Sequence, residues 1–202
     1  MDLDAREHYD RLIDEGNDPF HDPKPLRDYM DKWDGQRFID ALAPDKSKTV
    51  LEIGVGTGRL AARVIPECRS FCGIDISPQT VERARENLGK QGNVTLICGD
   101  FLSYNFWRDA RFDVIYSSLT FMHVKEEDKQ VAIDKVYSLL NDGGLFVLSI
   151  DKARSEYIDM GTRRVRIYPD TPEQTREYIT RAGMMLKDEF ETEFAHVFVG
   201  ER

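Results

Sequence analysis

From about residue 48 onward, short apolar runs alternate with segments that have the periodicity of amphipathic helices. The apolar runs are continuous, as in parallel strands buried on both faces: "KTVLEI", "SFCGIDI", "NVTLICGD", "RFDVIYSS" and "LFVLSI". The helical patterns between them are "TGRLAARVI", "SPQTVERARENLGK" and "KEEDKQVAIDKVYSLL". In the second, Ser77 can cap the helix, Pro78 fits its first position and Gly89 can end it. Repeated strand–helix units predict an α/β fold, doubly wound, with a mostly parallel sheet and helices on both faces.

The two ends of the chain depart from this alternation. "TPEQTREYITRAG" contains a capping box between Thr171 and Gln174. The segments that follow it, "MMLKDEFETEF" and "HVFVGE", alternate apolar and polar residues and predict a final pair of strands, at least one of them antiparallel and at the sheet edge. Residues 1–45 have helical patterns that "DPFHDPKP" and Gly35 interrupt. We therefore expect a helical N-terminal lid over residues 1–45 and one compact domain over residues 46–202.

Net charge and cysteine pattern limit the partners. The formal net charge of -9 disfavours nucleic acid and anionic membranes, because both attract positively charged proteins. No apolar run is long enough to span a bilayer, and the acidic start "MDLDAREHYD" is unlike a signal peptide. Cys68, Cys72 and Cys98 form no C-x-x-C pair and have no histidine nearby in sequence, which argues against a disulfide framework or a metal site. We expect a cytoplasmic monomer or homodimer that acts on a small molecule and needs no metal.

A glycine-rich turn follows the first of the apolar runs. "VLEIGVGTGRL" places Gly54, Gly56 and Gly58 where a helix opens, and backbone amides there carry partial positive charge that a ligand can approach closely. A tight turn without a ligand also explains glycines. The dinucleotide fingerprint G-x-G-x-x-G requires a glycine where Arg59 stands, which disfavours NAD(P). Glu52, two residues before the first glycine, would repel a pyrophosphate and favour a cationic ammonium group.

The segment "EIGVGTG" resembles the first motif of the class I S-adenosylmethionine-dependent methyltransferases, an acidic residue followed by G-x-G-x-G. Four further segments resemble that family in order and spacing: "GIDIS", "CGDF", "FDVIYSSLTFMHV" and "LLNDGGLFVLSI". Together they cover residues 49–150, about half the chain. The resemblance implies a seven-stranded sheet whose last hairpin carries one antiparallel strand. It also implies S-adenosylmethionine as the cofactor and S-adenosylhomocysteine as its product.

The resemblance also implies a role for individual residues in these segments. It implies that the glycine loop shapes the pocket for the methionine part of the cofactor, that Asp75 holds the ribose hydroxyls and that Asp100 with Phe101 contacts the adenine. Asp75 alone would also suit NAD, and the glycine spacing together with Asp100 favours S-adenosylmethionine. The residues expected at the cofactor are Glu52, Gly54, Gly56, Thr57, Gly58, Asp75, Ile76, Asp100, Phe101 and Ser117, and the neighbouring Ser118 is also expected near the sulfonium.

The residues that would face the methyl acceptor are less constrained. His123 follows the fourth strand, where ligands of such sheets bind, and its neutral pKa range suits a general base; a packing role alone is the alternative. In the lid, aromatic and histidine side chains would contact a small planar or cationic acceptor, or else they form the apolar faces of helices that cover the sheet. Arg164, in the insert 153–170, would bind a carboxylate or phosphate, or else protect a solvated sheet edge. The candidate acceptor residues in the lid are His8, Tyr9, His21 and Trp33.

The sequence as a whole predicts an enzyme that transfers a methyl group from S-adenosylmethionine to an oxygen, nitrogen or carbon of a small molecule. Such a transfer is an in-line displacement for which the protein mainly aligns the reactants and excludes water. Two alternatives remain open at this point. One is a protein that senses S-adenosylmethionine without catalysis, and the other is an NAD(P)-dependent oxidoreductase.

Overall fold

The computed structural model describes residues 2–202, which form ten strands and seven α-helices. The strands are β1 (Asp2–Leu3), β2 (Thr49–Ile53), β3 (Ser70–Asp75), β4 (Val94–Cys98), β5 (Phe112–Ser118), β6 (Leu140–Asp151), β7 (Tyr157–Asp159), β8 (Arg164–Arg166), β9 (Met185–Glu191) and β10 (Ala195–Glu201). The helices are α1 (Ala5–Asp14), α2 (Lys24–Asp34), α3 (Gln36–Ala41), α4 (Ala61–Val64), α5 (Pro78–Leu88), α6 (Lys129–Leu139) and α7 (Pro172–Arg181).

Seven strands form the central sheet in the order β4-β3-β2-β5-β6-β10-β9. The pairs from β4 to β6 are parallel, and β10 runs antiparallel to both β6 and β9. The expected doubly wound, mostly parallel sheet is therefore confirmed, including the antiparallel strand of the last hairpin. That strand lies inside the sheet, and β9 forms the edge.

Two apolar cores cover the two faces of this sheet, because successive side chains of a strand point to opposite sides. Leu51 and Ile53 of β2 belong to the core under α6 and α7. Val50, which directly precedes Leu51, belongs to the core on the other face, which includes α3 and α4. All three side chains are almost fully buried. A strand that is buried on both faces carries few polar side chains, which explains the nearly continuous apolar runs in the sequence.

Local signals fix where several helices begin. Ser77 Oγ accepts a hydrogen bond from the amide of Thr80 at the start of α5, and Thr171 and Gln174 form the predicted capping box of α7. The helix predicted from Thr57 begins only at Ala61, because a backbone with positive φ at Gly56 and Gly58 is not helical. The helix predicted from "KEEDKQ" begins at Lys129, after a short 3₁₀ turn.

The N-terminal segment divides into a cover and a part of the core. Phe38 and Ile39 of α3 are buried, and the ring centroid of Phe38 lies 6.1 Å from that of Tyr116 on β5. The structure therefore places α3 with the main domain, whereas the sequence-based boundary at residue 45 assigns it to the lid. The lid consists of α1 and α2. Asp10 of α1 accepts a hydrogen bond from Ser77 Oγ (2.6 Å) at the N-terminus of α5, where the helix dipole favours an anion.

The insert 153–170 and the N-terminus form one structure. Strand β1 pairs in parallel with β8, and β7 pairs antiparallel with β8, which makes a small three-stranded sheet. Arg163 of the insert forms an ion pair with Glu15, which follows α1. The lid is thus held by the insert as well as by α5. Within residues 2–202, no helix is both long enough and apolar enough to cross a bilayer.

Candidate active site

The carboxyl ends of four parallel strands open into a cavity of about 510 Å³ that the lid helices cover. Because the strand order is β4-β3-β2-β5, the residues at these ends lie in the order Asp100, Asp75, Gly54 and Ser118. Neighbouring strands are about 4.8 Å apart, so this row extends over about 14 Å. All four residues line the cavity, which gives it the shape of an elongated slot with polar groups at intervals.

The three glycines of the loop differ in what their missing side chains allow. A Cβ added to Gly54 would lie 2.0 Å from Thr120 Oγ1, and one added to Gly58 would lie 3.0 Å from Leu88 Cδ1. Both glycines therefore permit close packing within the protein. A Cβ on Gly56 would meet no protein atom within 4 Å, and Gly56 lines the cavity with a φ of +56°. Of the three, Gly56 is the one whose missing side chain leaves room for a ligand.

Asp75 is held in place by two backbone amides. Its Oδ2 accepts a hydrogen bond from Gly56 N and its Oδ1 accepts one from Ser77 N, each at 3.0 Å. Burial raises the pKa of the Asp75 carboxyl, and these amides oppose the rise. A carboxylate offers about four acceptor positions, so two remain for donors from the cavity. The Asp75 side chain is thus oriented by the loop and can receive two further hydrogen bonds.

Asp100, Phe101 and Ile76 line the cavity at the β4 end of the row. Asp100 accepts hydrogen bonds from Leu102 N (3.1 Å) and from a serine hydroxyl, and its side chain remains exposed. Phe101 is buried, and the Lys135 ammonium lies 5.2 Å from its ring centroid. Lys135 Nζ also donates to the carbonyls of Phe101 and Leu102, which fixes the loop after β4. Lys135 comes from α6, 34 residues away in sequence, and nothing in the sequence indicated this role.

Glu52 is buried beneath the glycine loop. Tyr116 Oη donates a 2.8 Å hydrogen bond to Glu52 Oε2, and burial raises the pKa of Glu52 well above its usual range. A carboxyl group with a raised pKa holds its proton more readily and so attracts a cation less strongly. Glu52 lines the cavity as expected, but it is a weaker partner for an ammonium group than the sequence suggests.

Asp34, the last residue of α2, was not predicted from the sequence. Its side chain is 1% exposed and lines the cavity. Asp34 Oδ2 accepts hydrogen bonds from Arg59 Nη2 (2.5 Å) and Ser118 Oγ (2.9 Å). Asp34 thereby joins the lid to the glycine loop and to the end of β5. Its sequence neighbourhood, with further aspartates in α2, looks like an ordinary solvated helical face.

A tyrosine–histidine pair lines the cavity at the turn after β5. Tyr9 Oη lies 2.9 Å from His123 Nε2, and both residues line the cavity. Burial lowers the pKa of His123 to about 4, so its imidazole is neutral at pH 7. Burial also raises the pKa of Tyr9, which keeps its phenol protonated. The pair couples the first lid helix to the turn after β5, and the sequence had singled out each member separately.

Several of the predicted acceptor residues lie outside this cavity. His8 is buried behind Tyr9, with ring centroids 5.0 Å apart. His21 Nε2 lies 3.0 Å from Asn87 Oδ1 on the surface, and Trp33 Nε1 donates to Asp151 Oδ2 at 3.2 Å. His21 and Trp33 thus attach the lid to the domain, whereas the ring contact of His8 is with Tyr9 of the same helix.

Three further residues that were expected at the site do not line the cavity, namely Arg164, Gly58 and Ser117. Arg164 Nε lies 2.7 Å from Asp2 Oδ1 in an exposed ion pair, because β8 pairs with the N-terminal strand. Ser117 is fully buried and donates to the carbonyl of Ile53 at 3.0 Å. The strand alternation turns Ser117 away from the ligand side, and Ser118 lines the cavity in its place.

Comparison with known proteins agrees with this geometry. Residues 50–144 match a family model described as a methyltransferase domain. An uncharacterized methyltransferase of Anoxybacillus flavithermus is 38% identical over 122 residues, which make up 60% of this chain and 56% of that protein. The matched segment therefore spans little more than half the length of that relative.

Two solved structures resemble nearly the whole chain. Magnesium protoporphyrin IX methyltransferase from Synechocystis PCC 6803, with bound S-adenosylmethionine, has a TM-score of 0.72 at 16% identity, covering 98% of this chain and 95% of its own. N-methyltransferase NodS from Bradyrhizobium japonicum WM9, in complex with S-adenosyl-L-homocysteine, has a TM-score of 0.71 at 16% identity and covers 99% of both chains. At this identity the likeness is one of fold. Residues 50–144 are therefore similar to a methyltransferase domain, and the chain as a whole has the fold that these two solved methyltransferases share.

Proposed function

We propose that the protein transfers a methyl group from S-adenosylmethionine to an oxygen, nitrogen or carbon atom of a small molecule. The observation that carries this proposal is that Gly56, Asp75, Phe101, Tyr9 and His123 all line the same cavity. The methyltransferase domain match over residues 50–144 supports the same conclusion.

The residues in the cavity fit the proposed cofactor. The open space beside Gly56 accommodates a ligand against the backbone, and the two free acceptor positions of Asp75 suit two adjacent ribose hydroxyls. Phe101 and Ile76 offer apolar surface for an adenine ring, with the Asp100 carboxylate nearby for its amino group. When bound, the cofactor supplies a methyl group already activated on a sulfonium.

The side chains of the protein then align the acceptor and interact with the proton that it has to lose. His123 is neutral at pH 7 and can accept a hydrogen bond from an attacking O–H or N–H group, but its lowered pKa makes it a weak base. The hydrogen bond with Tyr9 holds the imidazole ring in one orientation. The lid helices exclude water from the cavity, which protects the reacting centre and strengthens its electrostatic interactions.

Small-molecule acceptors are favoured over macromolecular ones. The cavity is roofed by α1 and α2, which limits the size of what can enter, and the net charge of -9 is unfavourable for nucleic acid. The neighbours in fold include a protoporphyrin methyltransferase and an N-methyltransferase. The cysteines at 68, 72 and 98 are all free thiols, which supports a reducing, cytoplasmic setting.

The decisive experiment is titration calorimetry with S-adenosylmethionine and, separately, NAD. We expect binding of S-adenosylmethionine that Asp75→Ala weakens and that Asp142→Ala, at a side chain 98% exposed, leaves unchanged. Release of S-adenosylhomocysteine is then followed over a panel of small phenols, carboxylic acids and amines. Binding without turnover on any acceptor would favour the sensor alternative. Binding of NAD in place of S-adenosylmethionine would refute the assignment.

A further inference from the structure

The Asp34 carboxylate has one oxygen with no bonding partner. Both donors that reach this side chain, Arg59 and Ser118, bind Oδ2, and nothing within residues 2–202 donates to Oδ1. The residue is 1% exposed, so water does not compensate from the bulk. A buried carboxylate oxygen without a donor is costly, and native proteins retain such atoms mainly where a ligand or function requires them.

The position of Asp34 in its helix makes the charge still less favourable. Asp34 is the last residue of α2, where the exposed carbonyls give the helix end a partial negative charge. An anion at this end is disfavoured and a cation is favoured. Arg59 supplies one positive charge at Asp34 Oδ2, and no described residue donates to Oδ1. The surroundings of Oδ1 therefore favour a further positively charged donor.

That donor has to come from the cavity, because Asp34 lines it beside Gly54 and Ser118. These residues lie at the end of the row opposite Phe101, beyond the Asp75 position. A nucleoside whose base lies near Phe101 and whose ribose lies at Asp75 would extend its substituent toward Asp34. The chemical group that fits is an ammonium with N–H donors to spare.

We propose that Asp34 Oδ1 accepts a hydrogen bond from the amino group of the amino-acid part of the bound cofactor, and that this contact helps to hold the lid in its closed position. The inference rests on the proposed function. It assigns to a lid residue the recognition of the end of the cofactor that carries the amino acid. Asp34 is then a specificity-determining residue, since it distinguishes a nucleoside with an amino-acid tail from one without it. Cofactor binding would also complete the acceptor pocket, because α2 and α1 form the same cover.

The test compares two ligands that share the nucleoside thioether. S-adenosylhomocysteine carries the amino-acid group, and 5′-methylthioadenosine lacks it. Titration calorimetry measures the affinity of both for the wild-type chain, Asp34→Asn and the matched control Asp28→Asn, an exposed aspartate on the same helix. We expect Asp34→Asn to weaken S-adenosylhomocysteine about tenfold to a hundredfold, as for a lost hydrogen bond to a charged group, with 5′-methylthioadenosine unchanged. Asp28→Asn should alter neither affinity.

Two results would overturn the inference. Equal affinity of wild type and Asp34→Asn for S-adenosylhomocysteine would mean that Oδ1 makes no contact with the ligand. An equal loss for both ligands would mean that Asp34 only supports the pocket through Arg59 and Ser118. If the wild-type chain binds neither ligand, the proposed function itself fails, which is a distinguishable outcome.

A second measurement does not depend on any variant. Hydrogen exchange of the α2 amides is followed in the wild-type chain with saturating S-adenosylhomocysteine or saturating 5′-methylthioadenosine. We expect slower exchange in α2 with the first ligand only. If both ligands slow the exchange of the α2 amides equally, closure of the lid does not depend on the amino-acid group. That result would contradict the proposal.

Discussion

Substitution of Gly54 by alanine tests how the glycine loop works. The added Cβ would lie 2.0 Å from Thr120 Oγ1 and 2.8 Å from Thr120 Cβ, so the turn after β5 would have to move. Overpacking of this kind costs about 1–3 kcal/mol. Gly54 also has a φ of +81°, which costs an L-residue about 1–2 kcal/mol. We therefore expect Gly54→Ala to lower the free energy of unfolding by about 2–5 kcal/mol.

Gly56→Ala is the matched control, because its Cβ would meet no protein atom. Only the cost of its positive φ remains, about 1–2 kcal/mol. The added methyl group would instead project into the cavity, so this variant should lose affinity for S-adenosylmethionine. Equilibrium unfolding in urea measures the first effect and titration calorimetry the second.

The two variants should thus separate stability from binding. Thr120→Ala removes the two closest clashing atoms and should recover part of the stability lost in Gly54→Ala. If Gly54→Ala is as stable as the wild type but no longer binds S-adenosylmethionine, the close approach at Gly54 is to the ligand. In that case the packing explanation would be refuted.

Other predictions concern the acceptor end, the buried charges and the surface. Tyr9→Phe removes the hydrogen bond that orients His123; kcat should fall about tenfold or more for an acceptor that must lose a proton, while the affinity for S-adenosylmethionine stays unchanged. His123 stays neutral in the folded chain down to about pH 4 but takes up a proton near pH 6.5 when unfolded, so its contribution to stability is present above pH 6.5 and is lost as the pH falls toward 4; urea unfolding should show a loss of at most about 3 kcal/mol over this range that is absent in His123→Asn. Lys129→Met should destabilise the chain by about 3–5 kcal/mol, because Asp170 is then buried without its partner, and Asp170→Asn in the same chain should recover part of this loss; recovery of nothing would contradict the argument. Arg164→Ala should change neither stability nor acceptor affinity measurably, because its ion pair is exposed to solvent; a loss of acceptor binding in calorimetry would restore Arg164 to the site.

The sequence predicted the positions along β2 to β5 that line the cavity, with local exceptions. Asp75, Asp100 and Phe101 all reach it, because residues at the carboxyl ends of adjacent parallel strands converge at one edge of the sheet. Ser117 and Ser118 were both expected beside the ligand, and only Ser118 lines the cavity. A shift of one residue reverses the direction of a strand side chain, and no pattern in the sequence fixed that register.

The lid was predicted as a helical cover, but its contacts were not. Tyr9 reaches His123, 114 residues away, and Asp34 reaches Ser118, 84 residues away. The sequence singled out Tyr9 and His123 separately but not as a pair, and nothing near Asp34 distinguishes it from the other aspartates of α2. The pairing of β1 with β8 likewise redirected Arg164 to Asp2, 162 residues away.

The sequence by itself determined what depends on near neighbours. Apolar periodicity identified the strands and helices, and the caps at Ser77 and Thr171 act within three residues of themselves. Tertiary structure alone decided burial and convergence. It brought Asp34, Arg59 and Glu52 into one buried group and lowered the pKa of His123. The physical reason is that desolvation and charge interactions depend on distances in space, which packing of the whole chain sets and which residue spacing does not record.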